Sequence, residues 1–245
     1  MTPYEDQAYM HLQFWQLKML KEPSFTDRVS RNVQTKINEL IPEKVHAVIT
    51  ATIEHMIKAV LFGAKYTTGK SPEPAASLQL RETFVKKQIS FYQKTATLEG
   101  AVTGAGGILL GLADFPILLG IKIKLLFDIA SLYGYDVHDY KERLYLLYIF
   151  QLAFSSQQRR NDIYQLMSGW QGYSNSLPDH VEEFDWRTFQ QEYRDYIDLA
   201  KMAQLLPVIG AAVGAIANYK LIALLGDTAM NCYRLRKLSP LKIIS

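Results

Sequence analysis

The sequence predicts an all-α fold, a multi-helix bundle. Apolar residues recur at three- and four-residue spacing along most of the chain, which is the period of an amphipathic helix. No run alternates apolar and polar residues between turn signals, so no sheet is expected. Apolar residues make up 49% of the 245 residues, enough for a sizeable core and too many for a disordered chain. We expect one domain over residues 1–245, in which residues 1–66 are a candidate N-terminal helical subdomain.

Capping signals and apolar stripes predict the helices of the N-terminal part. Thr2 is a suitable N-cap, Pro3 suits the first helical position, and Glu5 stands where a capping box needs an acid. These residues predict a helix that ends near Lys21. The stretch 67–74, rich in Gly, Pro, Ser and charge, is predicted to be a loop. Apolar spacing predicts three more helices, over residues 25–41, 43–62 and 77–98.

Two Gly/Ala-rich apolar segments, residues 100–121 and 205–225, approach the length of a membrane-spanning helix. We expect the first to be broken at Asp114–Pro116, because Asp suits an N-cap and Pro the first turn of a new helix. We expect the second to be broken at Pro207. The first break leaves pieces too short for about 30 Å of hydrocarbon, and the second segment holds Pro207, Asn218 and Lys220 and lacks a run of about 20 apolar residues. Burial in protein is therefore favoured over a membrane-spanning hairpin.

Stop and start signals define the rest of the chain. The stretch 133–136, Tyr-Gly-Tyr-Asp, is expected to end a helix, and Asp139 with Glu142 resembles a capping box that begins the next one. Residues 144–154 are apolar nearly all round, which predicts a buried central helix. Further along we expect a short helix introduced by residues 155–161, a loop over 169–185, and helices over 186–206 and 208–238.

Composition excludes several classes of protein. A net charge of +3 is too small to indicate nucleic-acid binding by a clustered basic face, so no nucleic-acid partner is expected. Cys232 is the single cysteine, which excludes an internal disulfide and suits a reducing compartment. The N-terminal residues lack a basic stretch followed by an apolar run, so no signal peptide is expected. These features predict a cytoplasmic protein.

No residue pattern indicates a cofactor, a metal or a catalytic centre. The stretch 104–109 lacks the third glycine of a dinucleotide-binding fingerprint, and no phosphate-binding Gly-Lys-Ser/Thr follows it. The five histidines form no H-E-x-x-H pattern, and no serine lies in G-x-S-x-G. We therefore expect no cofactor and no metal, and the residues favour a non-enzymatic protein.

Four polar residues in apolar surroundings are candidates for a site: Asp114, Asp128, Asn218 and Asp227. If they converged, they could form a polar pocket or a site for a hard cation, which prefers oxygen ligands. For Asp114 alone the favoured interpretation is an N-cap that satisfies backbone N–H groups. Sequence does not show whether the four converge.

Two other groups of residues have structural explanations. Gly107 with Gly111, and Gly210 with Gly214, have the four-residue spacing that lets helix backbones approach closely, so we predict that they are packing positions. Arg234, Arg236 and their basic neighbours could contact anionic lipid. A cluster of this kind more often interacts with the C-terminal end of its own helix.

Two segments resemble a known family: TGAGGILLGLADFPILLGIKIKLLFDIASLYGYD over residues 103–136 and LPVIGAAVGAIANYKLIALLGDTAMNCYR over residues 206–234. They combine glycine–alanine helices, an Asp-x-Pro pair, a Tyr-Gly-Tyr-Asp stop and an Asn in the final apolar segment. This combination is similar to the EcsC family. The family is named after a gene that accompanies a bacterial ABC transporter, so the resemblance implies an accessory role near a membrane system. It carries over no catalytic residues.

Three functions are consistent with the sequence. The leading hypothesis is a non-enzymatic, membrane-proximal accessory protein, cytoplasmic or peripheral at the inner face of the cell membrane, with an ABC transporter or protein secretion as its context. The second is a helical module that binds a lipid or another apolar ligand between the two glycine-rich segments. The third, least supported, is an enzyme that uses Asp114, Asp128 and Asp227 as acid and base or as metal ligands.

Overall fold

A computed structural model describes residues 1–21, 43–63, 71–103, 107–197 and 211–242. All regular structure in these ranges is helical, apart from one isolated bridge between Ser155 and Ile197, and this confirms the all-α prediction. The described part of the chain forms nine α-helices: α1 Pro3–Leu20, α2 Glu43–Lys58, α3 Leu78–Thr103, α4 Gly107–Tyr133, α5 Tyr140–Phe154, α6 Gln157–Ser168, α7 Trp170–Ser176, α8 Trp186–Tyr196 and α9 Ala211–Lys242. The division into domains stays a prediction.

The capping box predicted for α1 is confirmed. Thr2 Oγ1 accepts the N–H of Glu5 at 3.3 Å, and the Glu5 carboxylate accepts the N–H of Thr2 at 2.8 Å. The helix predicted over residues 25–41 lies outside the described residues. Helix α2 begins at the predicted residue, and its end loosens into a π-helical turn over Ala59–Gly63.

The break predicted at Asp114–Pro116 is wrong. Helix α4 runs without interruption over Gly107–Tyr133 and contains Pro116, so Asp114 lies inside a helix and is not an N-cap. A proline inside a helix costs about 3 kcal/mol. That cost is offset because Phe115, Leu118 and Leu119 on either side of the proline are buried, and each such side chain contributes about 1.5–3 kcal/mol. Pro207 lies outside the described residues.

The helix stop at residues 133–136 is confirmed. Gly134 has a φ of 89°, a left-handed conformation that glycine adopts without steric cost. Its N–H donates to the carbonyl of Ser131 at 2.9 Å, and the N–H of Tyr135 donates to the carbonyl of Ala130 at 3.0 Å. These are the two hydrogen bonds of a Schellman motif, which ends α4. Helix α5 then begins after Asp139, whose side chain accepts the N–H of Lys141 at 2.9 Å.

The loop expected over residues 169–185 contains regular structure. It includes α7 and a 3₁₀ turn over Val181–Glu183. Trp170 is buried at the start of α7, with its ring 4.8 Å from that of Tyr145. Burial of a large aromatic side chain can stabilise a helix that is too short to form alone. The amino-acid composition of residues 169–185 does not show that Trp170 is buried in this way.

The core is built around α5 and around the pairing of α3 with α9. Helix α5 is buried from Leu144 to Phe154, as predicted. The most extensive helix contact is between α3 and α9, and α4 packs against both. Helices α3 and α9 run antiparallel, since Ile89 contacts Gly226 while Glu82 binds Arg234. The first turns of α3 and α5 therefore lie at the same end of the bundle as the last turns of α4 and α9.

Candidate functional site

A buried ion pair at this end joins α3 to α9. Arg234 Nε lies 2.7 Å from Glu82 Oε1, and Nη2 lies 2.6 Å from Oε2. The hydroxyls of Tyr4 and Tyr133 donate to the same carboxylate at 2.7 and 3.0 Å. Glu82 is therefore buried with four donors from three other helices, which is the condition under which a buried charge is tolerated.

A second pair lies beside the first and joins α5 to α9. Arg236 Nη1 donates to Glu142 Oε2 at 2.7 Å, and the hydroxyl of Tyr233 donates to Oε1 at 2.7 Å. The Arg236 guanidinium lies 3.9 Å from the ring centre of Tyr135 and 4.5 Å from that of Tyr145. Stacking on aromatic faces stabilises a desolvated guanidinium. We call the two ion pairs and their tyrosines the arginine–tyrosine cluster: Tyr4, Glu82, Tyr133, Tyr135, Glu142, Tyr145, Tyr233, Arg234 and Arg236.

The electrostatics of the cluster favour a structural role. Burial alone would raise the pKa of Glu82, but the hydrogen bonds and charge of Arg234 hold that pKa below its ordinary value. Burial raises the pKa of Glu142 above its ordinary value, although Arg236 acts in the opposite direction. Burial and the hydrogen bond to Glu82 raise the pKa of Tyr4 to about 12. Each carboxylate is bound to an arginine, so neither is positioned to exchange a proton with a substrate.

Asp128, one of the predicted polar residues, faces α3. Its Oδ2 accepts from Gln88 Nε2 at 2.9 Å and from the Tyr92 hydroxyl at 2.8 Å, and its Oδ1 pairs with Lys124. Asp128 is buried, and these three donors stabilise its carboxylate. Its observed contacts are those of a residue that joins α4 to α3.

Asn218, another predicted residue, is buried on α9 and faces a different side of α4. Its Oδ1 accepts from Lys122 Nζ at 3.1 Å, while its Nδ2 has no hydrogen-bond partner among the described residues. Lys122 precedes Asp128 by six residues, which is not a whole number of turns at 3.6 residues per turn, so the two point to different faces. In the described part of the structure, Asp128 binds Gln88, Tyr92 and Lys124, whereas Asn218 binds Lys122.

Asp227 and Asp114, the other two predicted polar residues, have no described contact with Asp128 or Asn218. Asp227 is exposed on α9, and the side chain of Asp114 lies outside the described part of the structure. Among the described residues, no three His, Cys, Asp or Glu side chains are grouped so as to hold a metal ion. Cys232 is buried, and burial raises the pKa of its thiol, which disfavours the reactive thiolate.

Three of the four predicted packing glycines lie within described helices. Gly107 and Gly111 belong to α4 and Gly214 to α9, but their surroundings and the whole of Gly210 lie outside the described residues. The structure shows a close helix approach elsewhere, at Gly226, where an added Cβ would lie 2.6 Å from Ile89 Cδ1. Sequence reasoning missed this position because Gly226 has no second glycine at four-residue spacing.

An exposed stripe on α3 combines apolar and basic side chains. It consists of residues spaced by four and three, which lie on one face of a helix: Leu80, Phe84, Lys87, Phe91 and Lys94. Phe91 is 58% exposed. Neither lysine forms an ion pair within the described part of the chain, and Lys87 Nζ lies 5.7 Å from the Phe84 ring centre. We call this surface the α3 stripe.

A second exposed apolar surface is a groove along α1. Its volume is about 590 Å³, and it is lined by Met10, Gln13, Phe14, Gln16, Leu17, Leu20 and Tyr164. Phe14 is 68% exposed. Among the described residues that line it, none is charged. We call this surface the α1 groove.

Sequence analysis missed the arginine–tyrosine cluster and interpreted its arginines wrongly. Arg234 is buried, and Arg236 is bound to a glutamate, so neither is positioned to contact lipid or the end of its own helix. Arg234 lies between Tyr233 and Leu235, and Arg236 follows Leu235, so apolar neighbours in the sequence were the available signal. A buried basic residue is usually paired with an acidic residue, and sequence does not identify that partner.

Comparisons with known proteins agree with the earlier resemblance. A model described as the EcsC protein family matches residues 6–238. The chain is 49% identical to Protein EcsC of Bacillus subtilis (strain 168) over 222 residues, which are 91% of each chain. It is 26% identical to the uncharacterized protein YdbA of the same organism, with 96% of this chain and 95% of that protein aligned. No solved structure gives a significant match.

Proposed function

The chain belongs to the EcsC family, and we propose that it is a non-enzymatic accessory protein that binds the cytoplasmic surface of a cell membrane beside an ABC transporter or secretion machinery. The observation that supports membrane binding is the α3 stripe. None of the helices in the described ranges is long and apolar enough to cross a bilayer, so the proposal concerns attachment to the surface.

The chemistry of the α3 stripe suits the boundary between headgroups and acyl chains. Leu80, Phe84 and Phe91 are exposed on a helix whose opposite face is buried. Transfer of such side chains from water to an apolar environment contributes about 1.5–3 kcal/mol each when complete. Lys87 and Lys94 lie between them, and each lysine near an anionic surface adds about 1 kcal/mol. Amphipathic helices that bind in the plane of a membrane combine these two features.

Sedimentation with vesicles tests the proposal. We expect the protein to sediment with vesicles that contain anionic lipid, and to do so less with purely zwitterionic vesicles or at high salt. Phe84→Glu with Phe91→Glu should weaken binding by on the order of tenfold or more. Phe14→Glu with Leu17→Glu places the same two charges at exposed apolar positions of α1. This variant is the matched control and should bind as the unaltered protein does.

Two results would contradict membrane binding. One is the absence of sedimentation with anionic vesicles for a folded sample. The other is an equal loss of binding for the α3 and α1 variants, since such a loss would not depend on the α3 stripe.

Cell fractionation gives a second test. The protein should be found in the membrane fraction, and a carbonate or high-salt wash should release it. Recovery of transporter subunits with the unaltered protein, and not with the α3 variant, would support the transporter link.

The α1 groove favours a second candidate function, the binding of an apolar ligand. Pockets for small ligands are largely apolar with a few polar groups, and here Gln16 Nε2 donates to the Tyr164 hydroxyl at 2.9 Å in the groove wall. This location differs from the one predicted from the sequence, which lay between the two glycine-rich segments. Native mass spectrometry should show a co-purified lipid or fatty acid that Phe14→Glu removes and Phe91→Glu does not.

The enzyme hypothesis rests on Asp114, Asp128 and Asp227. Asp128 already binds three donors, which favours a structural role, and Asp227 is exposed on α9. The substitution Asp114→Asn tests whether Asp114, the third residue, has a catalytic role. A complete loss of cellular function, with protein level and thermal stability unchanged, would support an acid–base or metal-binding role.

A further inference from the structure

We propose that a cavity at the first turn of α3 binds a phosphate-type oxyanion through Lys237 and Arg81. The cavity has a volume of about 190 Å³ and is lined by Glu5, Ala76, Leu78, Arg81, Lys237 and Leu238. A cavity of this volume has room for several waters, and therefore for a phosphate group with part of its hydration. Anion binding in this cavity requires neither the α3 stripe nor a membrane.

Arg81 is a buried cation with no acidic partner. Its side chain is 4% exposed. Among the described residues, the guanidinium donates to backbone carbonyls alone, those of Glu73, Pro74, Ala76 and Leu132, at 2.8–3.1 Å. Within the described ranges, no carboxylate forms an ion pair with it. These carbonyls, one of them at the partially negative end of α4, solvate the guanidinium, but no full negative charge among the described residues faces it. Buried charges are normally paired with an opposite charge.

Lys237 is a second cation on the same cavity. It is half-buried, and its Nζ lies 5.3 Å from the ring centre of Tyr135. In the described part of the chain, no carboxylate lies within ion-pairing distance of Nζ. Burial lowers the pKa of Lys237, and the nearby charges of Arg81 and Arg236 lower it further. This contrasts with Arg234 and Arg236 on the same helix, each of which is bound to its own glutamate.

The remaining features of the cavity also suit an anion. Glu5 is the one acidic residue among the lining residues, and its carboxylate already accepts the N–H of Thr2 in the capping box. Ala76 and Leu78 flank the start of a 26-residue helix, whose N-terminal end carries partial positive charge. Two cations without acidic partners at a helix N-terminus favour a doubly charged phosphate monoester over a singly charged carboxylate.

Binding can be measured by titration calorimetry and by the shift in thermal unfolding midpoint on the intact chain. The probes are inorganic phosphate, glycerol 3-phosphate and short-chain phosphatidic acid, each compared with chloride at equal ionic strength. Binding of inorganic phosphate would indicate a free phosphate ligand, and binding of phosphatidic acid alone a lipid headgroup. Either result supports the site.

The variants separate the cavity from general electrostatics. Lys237→Gln should weaken phosphate binding on the order of tenfold, because it removes a charge-assisted hydrogen bond. Lys220→Gln removes the same charge from an exposed position on α9 and should leave binding unchanged. Glu5→Gln should tighten binding, because it removes the one negative charge in the wall. The proposal is overturned if no probe exceeds chloride, or if the two lysine variants lose binding equally.

Discussion

Arg234 and Glu82, 152 residues apart in the chain, form two parallel hydrogen bonds of 2.7 and 2.6 Å inside the bundle. The pair joins the last turns of α9 to the start of α3. The hydroxyls of Tyr4 and Tyr133 complete the shell of donors around the carboxylate. Bidentate pairing of this kind fixes direction as well as distance, and so sets the register of the two helices.

Removing the acid should destabilise the protein strongly. Glu82→Gln leaves the Arg234 charge buried without a counter-ion, and breaking a buried pair in this way typically costs about 3–5 kcal/mol. Equilibrium unfolding in urea measures the loss. The double variant Glu82→Gln with Arg234→Met should be more stable than Glu82→Gln alone, since no charge is left unpaired. A loss below about 1 kcal/mol would mean that the pair behaves as an exposed one.

Glu82 should also make stability depend on pH in the acid range. Because its pKa is lower in the folded protein than in the unfolded chain, its contribution is fully present above its unfolded value of about 4.3. The contribution is lost as the pH falls through the folded pKa. The difference in unfolding free energy between the unaltered protein and Glu82→Gln should therefore shrink on acidification. A constant difference down to low pH would contradict the assigned direction.

Glu142 should have the opposite effect. Burial raises its pKa, so the folded protein keeps this proton longer than the unfolded chain does. Stability should fall as the pH rises from the ordinary carboxyl value through the raised one. Following the Glu142 carboxyl by NMR in the folded protein checks the direction of its pKa shift. Titration of Glu142 below the ordinary range would contradict it.

Gly226 and Gly120 form a matched pair of helical glycines with opposite predictions. Gly226→Ala places a Cβ 2.6–3.1 Å from three carbon atoms of Ile89, and overpacking of this kind costs about 1–3 kcal/mol. Gly120→Ala meets nothing within 4 Å, so the better helix propensity of alanine should stabilise by up to about 1 kcal/mol. Thermal unfolding distinguishes the two. Adding Ile89→Ala should relieve the cost at Gly226, whereas a cost that persists would have another cause.

The predicted glycine pairs lead to a separate expectation. If Gly107, Gly111, Gly210 and Gly214 are packing positions, then Gly111→Leu and Gly214→Leu should destabilise the protein strongly, with a smaller effect for alanine. Thermal unfolding midpoints of the purified variants measure this. Unchanged or raised midpoints for both leucine variants would place these glycines on a free surface that could meet lipid or a partner.

Local sequence patterns were sufficient to predict the features that depend on residues about one helical turn apart. Thr2 and Glu5 cap α1, Gly134 ends α4, and Asp139 begins α5, in each case through hydrogen bonds between residues close in the chain. The apolar period similarly predicted the all-α class and the buried helix α5. These interactions need no knowledge of the rest of the fold, so local patterns are sufficient to predict them.

Tertiary structure decided the features in which a local preference competes with distant contacts. Pro116 favours a helix start, but burial of its neighbours keeps α4 continuous. Arg234 and Arg236 suit an exposed helix end, but glutamates 152 and 94 residues away bring them into the core. Gly226 has no sequence signature, and only the approach of Ile89 makes it a packing position. In each case the free energy comes from desolvation and packing against a partner whose position only the folded chain defines.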